Sequence, residues 1–242
     1  MNNYYGNDSI VEQVGTRVQT YMSHVYGWMT VGLVLSGLVA WYASSSQQMF
    51  FLLFNLDSGG ISLSGFSWFL LIAEFGLVFA LSGMINRLSG SMATGLFCLF
   101  SVLNGLSLMP IFITYTSSSI ASVFFITAGM FGALSFYGYS TKRDLSAIGR
   151  FLFMGLVGIV IASIANFFMK SAPMMWAITY ISVFIFAGLT AYDTQKLKEF
   201  GMNVSSEDGN VFRRFVILGS LTLYLDFINL FIMLLRILGD RR

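Results

Sequence analysis

The chain has 242 residues, of which 56% are hydrophobic and only 10% charged, with a net charge of +2. Soluble domains average about 25% charged residues, so this composition excludes an ordinary soluble enzyme and points to an integral membrane protein. The small net charge argues against a nucleic-acid partner, and a single cysteine, Cys98, excludes an intramolecular disulfide.

The first twenty residues carry Asn2, Asn3, Asp8, Glu12, Gln13 and Arg17. A cleavable signal needs a basic start and an apolar core, so residues 1–20 are expected to form a polar cytosolic segment. Residues 21–242 are then one transmembrane domain. Crossing a bilayer takes about 20 apolar residues, and the chain offers seven such runs. They are Tyr21–Tyr42, Phe66–Ile85, Met92–Tyr115, Ile120–Tyr139, Arg150–Met169, Met174–Tyr192 and a last run within Phe215–Leu238. The Ser/Gly-rich connection 43–65 is interrupted by an apolar patch, Met49–Leu56, too short to span and read as an interfacial helix. A charged connection, Lys196–Arg214, precedes the last run. The expected fold is an all-α polytopic membrane protein with seven crossings. Six crossings with a re-entrant last segment would keep the basic tail Gly239–Arg242 inside, but the last run is long enough to cross.

Lys and Arg placement sets orientation. Arg17, Arg87, Lys142, Arg143, Arg150, Lys196, Lys198, Arg213 and Arg214 fall on the side of the N-terminus, against Lys170, Arg236, Arg241 and Arg242 on the other. This places the N-terminus in the cytosol. Trp41, Trp68, Tyr115 and Trp176 fall at the outer ends of the runs and Tyr21, Tyr137 and Tyr139 at the inner ends, as interfacial anchors do.

Three acids lie in or at the edge of apolar runs: Glu74, Asp193 and Asp226. A charge at the bilayer centre costs from about 3 to more than 10 kcal/mol, so each needs a partner, a proton or a wet pocket. Asp144, Glu199, Glu207 and Asp208 read as solvated loop charges. Asp226 belongs to a stripe, Gly219, Thr222, Asp226, Asn229, Met233 and Arg236, spaced to share one helix face. Asp193 ends the preceding run in Ala191-Tyr192-Asp193-Thr194-Gln195. It lies about 28 Å into its helix at 1.5 Å per residue, so the two acids meet only if the last helix is shifted, with 213–218 emerging into the cytosol, or if the sixth helix tilts. If they meet, two carboxylates in low dielectric cannot both ionise cheaply and titrate as a unit. The charge they retain would attract a cation such as Ca²⁺, which favours six to eight oxygens. Asn104, Asn166 and Asn229 are candidate extra donors. Pro110 frees a backbone carbonyl in the third run, and His24, the one histidine, reads as interfacial.

No phosphate-binding loop, Cys/His metal cluster or Gly-x-Ser-x-Gly elbow occurs. An intramembrane aspartyl protease also pairs two aspartates, but the residues before Asp226 are Leu223-Tyr224-Leu225, not Gly-x-Gly. No enzyme activity and no cofactor are expected.

The segments Ala191–Gln195 and Leu223-Tyr224-Leu225-Asp226-Phe227-Ile228-Asn229-Leu230-Phe231 resemble those of the Bax inhibitor-1, or transmembrane Bax-inhibitor-motif, family. Asn104-Gly-Leu-Ser-Leu-Met-Pro110-Ile-Phe112 and Lys142-Arg143-Asp144-Leu145 fit the same family. The chain lacks a lysine-rich C-terminal tail and so is similar to the bacterial branch. The resemblance implies a seven-helix bundle with the last helix enclosed by the others. It also implies a pH-sensitive Ca²⁺ leak across the bacterial inner membrane, with Asp193 and Asp226 as sensor, gate and transient Ca²⁺ ligands and Glu74 in support. Some bacterial relatives carry an arginine run that latches onto the sixth-helix aspartate; here only Arg87 remains, in Met84-Ile85-Asn86-Arg87. Two other readings fit these residues: a non-transporting membrane protein that modulates a partner complex or a stress or cell-death response, and a proton-coupled cation exchanger. The expected partners are the lipid bilayer, Ca²⁺ and protons. No protein partner is indicated, and a monomer suffices.

Overall fold

The computed structural model describes residues 4–57, 60–204 and 208–242. Glu207 and residues 1–3 lie outside them. Eight α-helices occur among the described residues: α1 (Tyr4–Ser44), α2 (Gln47–Leu53), α3 (Gly65–Gly83), α4 (Gly90–Thr114), α5 (Ser117–Ser140), α6 (Ser146–Met169), α7 (Ala172–Asn203) and α8 (Gly209–Leu238). All but α2 are long and apolar enough to cross a membrane. The protein is an all-α polytopic membrane protein.

The differences from expectation lie at the run ends, where polar residues continue a helix beyond its apolar stretch. α1 begins at Tyr4, so the polar start is helical and continuous with the first span. The expected charged connection before the last span is mostly helix: α7 runs to Asn203 and α8 starts at Gly209. Lys196, Lys198 and Glu199 are good helix formers, and nothing in 193–203 breaks the helix. The connection 43–65 holds, besides α2, a hairpin of β1 (Phe54–Asp57) and β2 (Gly60–Leu63). Gly60, at φ 123°, supplies the turn conformation that L side chains rarely adopt. The last helix is unbroken over 30 residues, which favours seven crossings over a re-entrant segment. After it, the Arg242 amide donates to the Thr114 carbonyl at 2.9 Å, at the end of α4. Two anchors are reassigned: Tyr21 and Tyr115 are buried at 1% and 7% exposure, whereas Trp41 and Trp68 are exposed as expected.

The chain forms two compact units. One comprises Met1–Met22, Ser117–Asn203 and Thr222–Asp240, and the other Ser23–Thr116, Val204–Leu221 and Arg241–Arg242. In the second unit α1 and α4 approach closely: the Ser36 hydroxyl donates to the Ser101 carbonyl at 2.7 Å. A Cβ on Gly105 would lie 2.7 Å from the Ser36 carbonyl oxygen. The first turns of α8 are fixed in the same unit. Arg213 Nε donates to Thr94 Oγ1 at 3.0 Å, Arg214 to the Asn86 carbonyl at 3.0 Å, and the Gly90 amide to Asn210 Oδ1. In the first unit Phe227 of α8 packs against Phe124 and Phe131 of α5 at ring distances of 5.4 and 5.5 Å. α8 has the largest buried share of the seven spans, 67%.

Gly105→Ala must displace backbone, so it should destabilise by about 1–3 kcal/mol and lower the thermal unfolding midpoint in detergent. Gly76→Ala, where an added Cβ meets nothing within 4 Å, should leave the midpoint unchanged or raise it.

Candidate paired-aspartate site

The site is built on the segment Ala191–Gln195 of α7, in which every residue has a neighbour that fixes it. The Ala191 backbone fits against Gly138 of α5, where a Cβ would collide with the Ala191 carbonyl. The Tyr192 ring lies on Gly149 of α6, where a Cβ would collide with the ring. Thr194 Oγ1 donates to Ser135 Oγ at 3.3 Å. Gln195 uses both ends of its amide on the link between α5 and α6. Its Oε1 accepts from the Leu145 amide at 2.8 Å, and its Nε2 donates to the Arg143 carbonyl at 2.8 Å. Asp193 is thus held by its neighbours on both sides.

Asp193 faces Asp226 of α8 at hydrogen-bonding range, carboxyl to carboxyl. Asp226 is buried at 5% exposure and Asp193 half-buried. Asp226 Oδ2 has no hydrogen-bond partner among the described residues. A carboxyl pair in such a setting needs a proton between its members, a water or a cation. Lys196, one turn on from Asp193, acts on it electrostatically and stands over the Tyr192 ring at 5.8 Å. The two acids meet at unequal distances from the neighbouring ends of their helices. Asp226 lies about 18 Å of helix from Leu238 and Asp193 about 31 Å from Ala172, at 1.5 Å per residue. α7 therefore overshoots α8 at that end.

The stripe on α8 is mixed: Gly219 and Asp226 are buried and Arg236 is exposed. Thr222, Asn229 and Met233 are half-buried, while Leu223, Tyr224, Phe227 and Leu230 are buried. Asn229 Nδ2 donates to the Leu225 carbonyl at 2.8 Å, a bond within its own helix. The remaining sequence candidates lie elsewhere. Asn166 closes the turn after α6, where its Oδ1 accepts from the Ser171 amide at 3.0 Å and Lys170 adopts a left-handed conformation at φ 51°. Glu74, Asn104 and Arg87 belong to the other unit. There Glu74 accepts from Asn104 Nδ2 at 3.2 Å and from Ser107 Oγ at 2.5 Å. Arg87 is exposed on a 3-10 turn, Ile85–Arg87. No group of three or more His, Cys, Asp or Glu side chains able to hold a metal occurs among the described residues. Two carboxylates fall short of a resident Ca²⁺ shell, so a cation here would be a transient visitor. Sequence reasoning missed Ser135, Gly138, Gly149 and Gln195. None of these carries a charge in an apolar run, which was the signal that found the aspartates.

Asp144, in the same link as the Gln195 partners, is exposed, and its Oδ1 accepts from the Ser146 amide at 2.8 Å at the start of α6. Hydrogen bonds from the Ser146 side chain and amide hold its carboxyl below the usual range. Its contribution is complete above the ordinary carboxylate range and is lost as pH falls through the lowered value. The acid-side decline of the unfolding midpoint should therefore be shallower in Asp144→Asn. Gln195→Ala leaves the buried Leu145 amide without its acceptor, at a cost of about 1–3 kcal/mol, and should lower the unfolding midpoint in detergent, with Gln195→Glu restoring part of it through the retained acceptor.

Comparison with known proteins agrees with this construction. The chain is 56% identical to the inner membrane protein YbhL of Escherichia coli K12 over the full length of both. It is 42% identical to a protein of Borreliella burgdorferi over 92% of each chain. A membrane protein of Streptococcus pyogenes serotype M6 is 34% identical over 96% of this chain and 98% of its own. The family model described as inhibitor of apoptosis-promoting Bax1 matches residues 18–242. With seven candidate spans and these relatives, the chain is an integral multi-pass membrane protein and belongs to the Bax inhibitor family.

Proposed function

We propose that the protein is a passive, proton-regulated cation leak channel that passes Ca²⁺ and is gated by the Asp193–Asp226 pair. The observation that carries this reading is the buried carboxyl-to-carboxyl contact, with Asp226 Oδ2 unpartnered among the described residues. With a proton between them, the two acids hold α7 to α8. Without it, they carry like charges at short range, and the helices are pushed apart unless a cation takes the proton's place. Proton and cation thus compete for the same oxygens, so occupancy by either excludes the other. The half-open stripe of Thr222, Asn229 and Met233 offers the side from which an ion would approach.

The pair works as a gate and not as an ion store, because two carboxylates supply too few oxygens for tight Ca²⁺ binding. The N-terminus is assigned to the cytosol on the excess of Lys and Arg on its side. The membrane is then the bacterial inner membrane, and Asp226 lies nearer its cytosolic side than the middle of the last apolar run would suggest.

Reconstituted into liposomes loaded with a Ca²⁺ indicator, the protein should pass Ca²⁺ down its gradient at a rate that depends on pH. Asp226→Asn removes the second ionisable partner and should flatten the pH profile while changing the flux. Unchanged flux and an unchanged profile in that variant would sink the proposal. Uphill Ca²⁺ accumulation on an imposed proton gradient would replace the leak with exchange, and absence of flux in the wild-type protein would favour a non-transporting role.

A further inference from the structure

The segment between α1 and α3 is a built cap, not a loop. Ser46 closes the start of α2 by accepting from the Met49 amide at 3.4 Å. The carbonyls at the far end of α2 are tied to the start of α3. Ser64 Oγ donates to the Leu52 carbonyl at 2.5 Å, Ser67 Oγ to the Leu53 carbonyl at 2.6 Å, and the Ser64 amide to the Leu53 carbonyl at 2.9 Å. Leu53 is buried in a cluster with Ala43 of α1, Leu70 of α3 and Met109 of α4, on which Phe50 and Phe54 also pack. The cap therefore has one pose relative to these helices, and the side chains it leaves uncovered are left so by construction.

Those side chains are sorted by the hairpin register. Phe54 stands opposite Leu63, Asn55 opposite Ser62, and Leu56 opposite Ile61. Residues directly opposite in an antiparallel pair share a face and successive residues alternate. One face therefore takes Phe54, Leu56 and Leu63 and the other takes Asn55 and Ser62. The apolar face is covered at Phe54 by the cluster but open at Leu56, toward the turn, and at Leu63, opposite Phe54, which are 58% and 43% exposed. Phe51 and Leu52 of α2 are 51% and 42% exposed beside it. The patch is continuous in the chain with Trp41 at the end of α1 and Trp68 at the start of α3, both exposed where spans meet the membrane boundary. Between residues 43 and 64 the single charged residue is Asp57, whose register partner is Gly60.

We propose that α2 and the apolar hairpin face dock into the lipid interface of the leaflet on the side opposite the N-terminus. The occupant is the membrane surface itself. Exposed apolar surface, aromatic anchors at both flanks and an uncharged apolar side are what the headgroup–acyl boundary accepts. A second copy or a periplasmic protein strand would instead use the open hairpin edge, and nothing in the face's chemistry selects for either. This inference does not depend on ion transport.

The experiment uses the full chain with Cys98→Ser, reconstituted in vesicles of phosphatidylethanolamine and phosphatidylglycerol. An environment-sensitive fluorophore is placed on Leu56→Cys or Leu63→Cys for the apolar face, and on Asn55→Cys or Ser62→Cys for the polar face. Labels at 56 and 63 should be quenched several-fold more by shallow spin-labelled lipid than labels at 55 and 62, and several-fold less by aqueous iodide. Equal iodide quenching on both faces would overturn the proposal by placing the cap in water. Protection at 56 and 63 from both quenchers would also overturn it, in favour of a protein cover. Two positions per face guard against one variant that misfolds, and the wild-type unfolding midpoint is the check on each.

Discussion

The contact between Asp193 and Asp226 sets the terms for everything around it. Two acids at a buried helix interface repel if both ionise, so a proton, a water or a cation has to accompany them. Such a contact needs backbone and side-chain positions fixed to a fraction of an ångström. The segment Ala191–Gln195 supplies that on α7 through Gly138, Gly149, Ser135 and the link held by Gln195. On α8, the aromatic packing of Phe227 against Phe124 and Phe131 holds the neighbouring residue in a dry setting. The acids themselves contribute little stability. The packing around them exists to tolerate them.

The start of α8 is fixed by contacts of its own. Asn210 accepts from the Gly90 amide, Arg213 donates to Thr94 and Arg214 to the Asn86 carbonyl, so the polar side chains of the first turns are used on the start of α4 and the segment before it. From there α8 continues without a break to Leu238, over 30 residues in all.

Much of this was legible in the sequence, for reasons that can be named. Seven spans follow from hydropathy because each backbone polar group in lipid must be paired within its own helix. Asp193 and Asp226 stood out because a charge among Leu, Phe and Ile is costly. The depth of α8 was legible only as a condition, because apolar runs report where lipid begins and not where the helix ends. Polar extensions such as Lys196–Asn203 and Tyr4–Thr20 add turns that hydropathy does not register. The hairpin was missed for the opposite reason. Met49–Leu56 is apolar enough to suggest one short helix, yet Phe54–Asp57 leaves the helix to pair with Gly60–Leu63. That pairing is a contact with residues further along the chain, which local pattern does not encode. Tyr21 and Tyr115 misled because tyrosine serves equally as an interfacial anchor and as a buried donor.

Glu74 shows why an acid in an apolar helix is not by itself a functional signal. It was singled out by the same rule as Asp226, yet its surroundings differ. Asn104 and Ser107, three residues apart on α4, both donate to it. Both donors are neutral, so the arrangement satisfies a carboxylate without requiring a proton or an ion. The Asp226 carboxyl faces another acid, and its Oδ2 has no partner among the described residues. The first arrangement gives each Glu74 oxygen a donor within its own cluster. The second leaves a buried oxygen without a partner among the described residues, and the proposed proton and cation dependence rests on that oxygen. Completeness of hydrogen bonding, more than burial or depth, therefore distinguishes the two acids, and it is the difference on which the proposed role of Asp226 rests.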